Sequence, residues 1–120
     1  MKASCVEETR IYQIYMDFII YLEMITKKYP NATKAGIVAT IKNSSYEGIK
    51  YILLAYKSFD KKEKLKYLNE LDINLKMQRV FARLSYKRKY INIRNYEAWS
   101  RKINLVSMSL GGWINSCLKQ

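Results

Sequence analysis

The chain contains very little material for tight turns. One proline and four glycines are spread over its 120 residues, whereas a sandwich or barrel of short strands needs a turn roughly every 8–12 residues. A chain of this length corresponds to one domain and can bury a core without the help of disulfides or metal. We therefore expect an all-α fold of a few long helices, in a single domain that spans residues 1–120.

Apolar residues in the first half of the chain recur every three or four positions, which places them on one face of a helix. A first helix is predicted over about 6–28, because Pro30 then removes a backbone donor. A second helix is predicted over about 33–58. The residues expected on the buried faces are Ile11, Ile14, Tyr15, Phe18, Leu22 and Ile25 in the first helix, and Ile37, Ile41, Ser45, Gly48, Ile52, Ala55 and Phe59 in the second.

Small residues form a patch on the second helix at Ser44, Ser45 and Gly48. Residues of this size allow a neighbouring helix to approach closely. A ligand cleft at the same place is the alternative, and the sequence leaves both interpretations open.

Two cap signals mark the later helices. Asp60 followed by Glu63 resembles a capping box and predicts a third helix that extends to about residue 89. Asn92 can cap a fourth helix, whose expected core stripe is Tyr96, Trp99, Ile103, Val106, Leu110, Trp113 or Ile114, and Cys117. Because the connections are short, we expect an antiparallel up-down-up-down four-helix bundle. Its two chain ends would then bring Cys5 and Cys117 near one another.

The charge is strongly positive and unevenly distributed. Lysine and arginine outnumber aspartate and glutamate by 22 to 10, and between residues 76 and 102 the only acidic residue is Glu97. A concentrated positive field attracts polyanions such as RNA and DNA; a solvated lysine-rich surface without such a partner is the alternative. The candidate nucleic-acid-binding or partner-binding residues are Lys76, Arg79, Arg83, Lys87, Arg88, Lys89, Arg94, Arg101 and Lys102. Beside them, Tyr86 and Tyr90 are candidates for stacking on unpaired bases.

The third helix carries apolar residues on two opposite sides. Wound at about 100° per residue, it places Leu68, Leu71, Leu75, Ala82 and Tyr86 on one side and Ile73, Met77, Val80, Phe81 and Leu84 on the other. A helix that is apolar on two sides is buried on two sides. We therefore expect a homo-oligomer, with an interface formed by Ile73, Met77, Val80, Phe81 and Leu84 together with the stripe Met16, Ile20 and Met24 of the first helix. A monomer in which the third helix is simply the most central one is the alternative.

The residue types of several common active sites are missing from the sequence. The chain has no histidine and only two cysteines, which are not at a metal-ligand spacing, so we expect no metal site and no cofactor. The carboxylate pairs Glu7/Glu8 and Glu70/Asp72 have no partner base on the same helix face, so we do not expect an enzyme.

No apolar run is long enough to cross a bilayer. The basic residues do not lie opposite a single apolar stripe, as they would in a membrane-surface helix. Because we also find no signal peptide, we expect no membrane partner and a cytoplasmic protein with reduced thiols.

The last predicted helix contains two adjacent glycines, Gly111 and Gly112, followed at once by Trp113. A glycine inside a helix costs roughly 1 kcal/mol relative to alanine. We therefore expect a neighbouring helix to pack tightly against the pair, with a frayed helix end as the alternative.

Segments along nearly the whole chain resemble Avd, the accessory variability determinant proteins of diversity-generating retroelements. The resemblance rests on Lys28-Tyr29-Pro30 after the first helix, Leu65 and Leu68 leading into Arg79-Val80-Phe81-Ala82-Arg83-Leu84, Tyr90-Ile91-Asn92 before Asn95-Tyr96-Glu97, and the closing Met108-Ser109-Leu110-Gly111-Gly112-Trp113-Ile114. A glycine pair followed by Trp-Ile is typical of Avd-type members. Proteins of bacterial 23S ribosomal RNA intervening sequences belong to the same four-helix-bundle superfamily.

The resemblance implies a non-catalytic accessory protein that assembles into a basic homopentamer. It implies two kinds of partner, the reverse transcriptase of the retroelement and its template RNA, with DNA as a further candidate. Together they would make the mutated complementary DNA, with errors at template adenines, that diversifies a target gene. A 23S ribosomal RNA intervening-sequence protein of the same fold is the alternative.

Overall fold

The computed structural model describes Val6 and residues 9–119 of the chain. Within this part the chain is a four-helix bundle without strands, which confirms the predicted all-α class. The α-helices are α1 (Arg10–Thr26), α2 (Ala39–Lys57), α3 (Lys61–Lys87) and α4 (Ile93–Leu118). Cys5, Glu7 and Glu8 lie outside the described residues, and so does the expected proximity of Cys5 to Cys117.

The four helices enclose one core, to which each contributes a face. The main packed pairs are α1–α2, α2–α3, α3–α4 and α1–α4. Burying a leucine, isoleucine or phenylalanine side chain contributes about 1.5–3 kcal/mol, so this shared core is the main source of stability. Its most buried members include Tyr15, Phe18, Leu22, Ile41, Ile52, Leu68, Leu71, Leu75, Trp99, Ile103, Val106 and Leu110.

Side-chain caps begin three of the helices. The Asp60 carboxylate accepts from the Glu63 N–H at 3.2 Å, and the Asn92 amide oxygen accepts from the Asn95 N–H at 2.8 Å. Both predicted caps are therefore confirmed. A third cap, which was not predicted, is Thr9, whose hydroxyl oxygen accepts from the Tyr12 N–H at 3.4 Å at the start of α1. Each cap satisfies a backbone donor that a helix start leaves without an intrahelical partner.

The start of α2 differs from the predicted bounds. The sequence predicts a helix from about residue 33, but the chain makes a 3₁₀ turn at Asn31–Thr33 and a π-helical turn at Lys34–Val38 before α2 begins at Ala39. Gly36 interrupts the helix with φ −101° and ψ −107°. A residue without a Cβ adopts such angles easily, so the predicted continuous helix is wrong at this glycine.

The segment around Gly36 is held against the end of α1 by Lys34. Its ammonium group donates to the Thr26 carbonyl at 2.7 Å and to the Lys27 carbonyl at 2.9 Å. The last carbonyls of a helix have no intrahelical donor and carry partial negative charge. Lys34 therefore serves as a cap for the helix that precedes it.

The small-residue patch of α2 is filled by side chains from two neighbouring helices. The Tyr15 hydroxyl donates to the Ser45 carbonyl at 2.7 Å and lies against Gly48. From α3, the Asn74 amide donates to the Ser44 carbonyl at 2.8 Å. The patch is a place of close helix approach, which is one of the two interpretations, and Tyr15 occupies the space that a ligand cleft would need.

Two predicted buried positions are wrong. The sequence predicts Phe59 on the buried face of α2, but it is fully exposed because the chain leaves the helix at Ser58, whose ψ is 132°. Tyr86 is predicted on the core side of α3, but it is 40 % exposed. The buried positions of α3 instead run at spacings of three and four through Gln78 and Ala82 to Ser85, so the core face reaches Ser85 and passes beside Tyr86.

The expected tight packing at the glycine pair is also wrong within this chain. A Cβ built on either Gly111 or Gly112 would meet nothing within 4 Å. Both glycines lie inside α4, which continues to Leu118, so the frayed-end alternative fails as well. The neighbouring Trp113 is half-buried and packs against the core.

Candidate nucleic-acid interface

The nine basic residues predicted to bind nucleic acid lie on two helices and in the turn that joins them. Lys76, Arg79, Arg83 and Lys87 belong to α3, Arg88 and Lys89 to the turn, and Arg94, Arg101 and Lys102 to α4. None of the nine side chains is buried. The predicted cluster is therefore a surface that a polyanion can reach.

Three of these cations have partners within the chain. Lys76 pairs with Asp72 at 2.6 Å, and Arg79 donates to the Asn104 side-chain oxygen at 2.7 Å. The Lys102 ammonium lies 5.3 Å from the centre of the Tyr21 ring. Surface ion pairs and cation–π contacts contribute about 1 kcal/mol or less, and Asn104 offers Arg79 only a neutral acceptor, so phosphate groups can compete for all three cations.

The remaining six are exposed and form no ion pair with any described residue. Arg83 lies on α3 between the contact of Arg79 with Asn104 and the contact of Tyr86 with Tyr96. On α4, Arg101 lies between Tyr96 and Asn104, the partners in these two contacts. The two arginines are thus placed along one stretch of the α3–α4 packing, where their charges add.

A recess of about 680 Å³ lies at the turn between α3 and α4. Three lysines line it: Lys87 and Lys89 from the predicted cluster, and Lys28 from the turn that follows α1. No local pattern in the sequence marks Lys28 for this site, because its position depends on how α1 packs against the turn. Tyr86, Tyr90 and Ile91 line the apolar part of the recess, and the amides of Asn92 and Asn95 complete it.

The turn itself has a well-defined backbone. The Tyr90 N–H donates to the Ser85 carbonyl at 2.9 Å and the Lys89 N–H donates to the Tyr86 carbonyl at 3.0 Å, which is the bonding of a Schellman motif. Lys89 occupies its left-handed position, with φ 63°. Glycine is preferred at this position, and other residues adopt left-handed angles at a cost of about 1–2 kcal/mol.

Each tyrosine of the recess is held by a second aromatic ring. Tyr86 packs against Tyr96 with ring centres 5.2 Å apart, and Tyr90 packs against Tyr29 at 5.3 Å. Tyr29 is buried, and its hydroxyl has no hydrogen-bond partner among the described residues. Burial raises the pKa of that hydroxyl to about 12, although the nearby Ser85 hydroxyl opposes the shift. The rings are therefore fixed from the protein side, while Tyr86 remains partly open to solvent.

Some of the residues predicted to form an oligomer interface are exposed, and others are half-buried. Ile73, Met77 and Val80 on α3 and Ile20 and Met24 on α1 are between 44 and 59 % exposed. Phe81, Leu84 and Met16 are half-buried, and Phe81 and Met16 pack against the core. The structure thus presents two exposed apolar patches, one on α1 and one on α3, and these two helices are not one of the main packed pairs.

The described residues contain no group of three histidine, cysteine or acidic side chains that could hold a metal ion. Of the two carboxylate pairs, only Glu70/Asp72 is described, and Asp72 is bound to Lys76. Cys117 is buried and free. None of the helices described is long and apolar enough to cross a membrane.

A family model described as bAvd-like matches residues 9–117, which is nearly the whole described part of the chain. No curated protein gives a significant match.

Proposed function

The chain belongs to the bAvd-like family, and on that basis we propose that it is a non-catalytic accessory protein of a diversity-generating retroelement. In this role it binds the reverse transcriptase and the template RNA in the cytoplasm and supports mutagenic synthesis of complementary DNA. The match over residues 9–117 carries this proposal. Because the match is to the bAvd-like family, it favours this role over that of a ribosomal intervening-sequence protein.

The surface of α3 and α4 supports the nucleic-acid part of the proposal. Its unpaired cations, among them Arg83, Lys87 and Arg101, can bind phosphate groups and release the counterions condensed on RNA or DNA. Such contacts position a nucleic acid without reading its sequence. The expected binding is therefore tolerant of sequence and steeply dependent on salt.

Co-expression with a reverse transcriptase whose gene is found in the same gene neighbourhood tests the proposal. We expect the two proteins to co-elute, and the chain to raise the yield of complementary DNA from the template RNA. Absence of both effects, or a gene neighbourhood without a reverse transcriptase, would overturn the accessory role.

The electrostatic part has its own test with matched variants. Replacing Arg83, Lys87 and Arg101 together by glutamine should weaken RNA binding and reduce the log–log salt slope by about 0.7–0.9 for each phosphate that is no longer bound. Replacing Lys57, Lys62 and Lys66 by glutamine removes the same charge from elsewhere on the chain. Equal weakening by the two triple variants would contradict a local interface.

We also propose that the chain assembles into a homo-oligomer, by family resemblance a pentamer. The two apolar patches support this proposal, because a ring is built from heterologous contacts in which two different surfaces of each subunit meet. Charged substitutions at exposed Ile73 and Met77 should dissociate the assembly without unfolding the chain. A monomeric mass of the parent chain by light scattering at micromolar concentration would refute it.

For the bundle we propose the up-down-up-down antiparallel order. The contacts between α3 and α4 support it, since Lys61 reaches the Leu118 carbonyl while Tyr86 packs against Tyr96. Early positions of α3 therefore contact late positions of α4. The bond from Tyr21 to the Asn95 carbonyl, late in α1 and early in α4, supports the same order for that pair.

A further inference from the structure

We propose that the recess at the α3–α4 turn is a binding site for one unpaired nucleotide of a single-stranded nucleic acid. The base would stack against Tyr86 beside Tyr90, and the flanking phosphates would bind Lys28, Lys87 and Lys89. This inference rests on the proposed nucleic-acid binding and assigns it a specific site.

The cations of the recess are available to a ligand. Lys28, Lys87 and Lys89 are exposed and have no ion pair with any described residue. None of the described residues that line the recess is acidic. Three ammonium groups from two separate parts of the chain therefore surround a volume in which no carboxylate neutralises them, which suits a phosphodiester.

The aromatic side chains provide a surface for a base. Tyr86 is supported by Tyr96 and Tyr90 is supported by the buried Tyr29. Rings that are already fixed lose little conformational freedom when a base stacks on them. Because every base has an aromatic face, stacking of this kind is tolerant of sequence.

The side-chain amides of Asn92 and Asn95, which also line the recess, can form hydrogen bonds with the edge of a base stacked on Tyr86. Asn92 uses its side-chain oxygen to cap α4, while its NH₂ group has no partner among the described residues. The Asn95 NH₂ group makes only a long contact, 3.4 Å, to the Tyr21 hydroxyl. Amide donors that are unpaired or only weakly bonded, beside aromatic rings, can bond the polar edge of an unpaired base.

The backbone at Lys89 gives an independent reason to assign a role to this side chain. Its left-handed position is one that glycine satisfies without a penalty, and residues held in disfavoured angles cluster at functional sites. Replacement by glycine should therefore make the fold more stable. If the lysine binds phosphate, the same replacement should weaken binding.

The decisive experiment compares Lys89→Gly with the parent chain by thermal melting and by fluorescence titration of short unstructured RNA and DNA oligonucleotides. We expect a melting temperature a few degrees higher, weaker binding, and a salt slope lower by about 0.7, the value for one phosphate of a single strand. Weaker binding by a stabilised variant cannot come from unfolding. Lys62→Gln, which removes one charge at the start of α3, at the other end of the helix from the recess, serves as the charge control.

The stacking role is tested at Tyr86 with two variants. Tyr86→Ala should weaken binding of single strands about fivefold to 150-fold, the range measured for one base–aromatic stack, and should leave binding of a duplex of the same sequence unchanged. Tyr86→Phe keeps the ring and should bind like the parent. The RNA and DNA arms show which of the two strands the recess prefers.

The outcomes separate this inference from the proposed function. If the parent binds oligonucleotides while Lys89→Gly and Tyr86→Ala bind as tightly as it does, the recess is not the site and the broader basic surface remains. If Lys62→Gln weakens binding as much as Lys89→Gly, the attraction is diffuse and the recess proposal fails. If the parent binds no oligonucleotide, both proposals are overturned.

Discussion

The hydroxyl of Tyr15 occupies the space over Gly48 in which any other residue would place its Cβ. Tyr15 is fully buried and bonds to the Ser45 carbonyl one turn earlier on α2. The absence of a side chain at position 48 thus lets a polar ring from α1 enter the core and satisfy its hydroxyl there. The contact joins two helices through one hydrogen bond and one glycine.

We expect Gly48→Ala to destabilise the chain by about 1–3 kcal/mol, because the added methyl group overlaps the fully buried ring of Tyr15. Tyr15→Phe should cost about 1 kcal/mol, because it removes the hydrogen bond to Ser45. Urea unfolding measures both changes. A Gly48→Ala variant as stable as the parent would show that Tyr15 can move away.

Because the Tyr29 hydroxyl is buried, we expect the chain to lose stability at alkaline pH. Its pKa is raised from an ordinary value of 10.0 to about 12, so the unfolded chain loses this proton first. The stability linked to the shift is complete below pH 10 and is lost as the pH rises from 10 towards 12. Burial raises the pKa of Tyr15 in the same direction, so both residues contribute to alkaline unfolding.

Tyr29→Phe isolates one of these two contributions. At neutral pH the variant should be as stable as the parent or more so, because the hydroxyl that it removes is buried without a hydrogen-bond partner. Above pH 10 its stability should fall less steeply than that of the parent. The measurement is the urea midpoint of each chain at several pH values above 10. If the midpoint falls equally steeply with pH in the variant and in the parent, the assignment to Tyr29 is wrong.

We expect the bonds from Lys34 to the end of α1 to stabilise the fold. Lys34→Met removes two charge-assisted bonds to the last carbonyls of that helix and should destabilise the chain by about 1 kcal/mol. Lys62→Met, at an exposed position near the start of α3, should change stability by less than about 0.5 kcal/mol. Equal losses of stability in the two variants would mean that Lys34 acts only through net charge.

The later helices could be predicted closely because their signals are local. Asp60 and Asn92 mark their helices by cap chemistry within four residues, and the apolar spacing of α4 identifies Trp99, Ile103 and Val106 as core. The break occurs at Gly36, which tolerates the non-helical angles, but apolar spacing alone indicates neither the break nor the bonds from Lys34 back to the end of α1.

The candidate site could be predicted only in part, because some of its residues come together only when the helices pack. The basic cluster is visible as a run of lysines and arginines, and Tyr86 and Tyr90 stand beside it in the sequence. Lys28 enters the recess only when α1 packs beside the α3–α4 turn. The spacing of Tyr86 from Ala82 is ordinary for a buried stripe and predicts a core position. The buried positions of α3 pass through Ser85 instead, so Tyr86 lies partly exposed beside them.

Gly112→Ala should have the opposite effect to Gly48→Ala, although both change glycine to alanine inside an α-helix. A Cβ at Gly112 meets nothing within 4 Å, so the substitution adds no overlap and benefits from the higher helix propensity of alanine, about 1 kcal/mol. It should therefore raise the melting temperature of the monomeric chain. Light scattering on the same sample reports whether assembly changes, because a subunit packed over α4 would meet the new methyl group. A melting temperature below that of the parent, measured where the chain is monomeric, would mean that the helix around Gly112 depends on glycine within this chain.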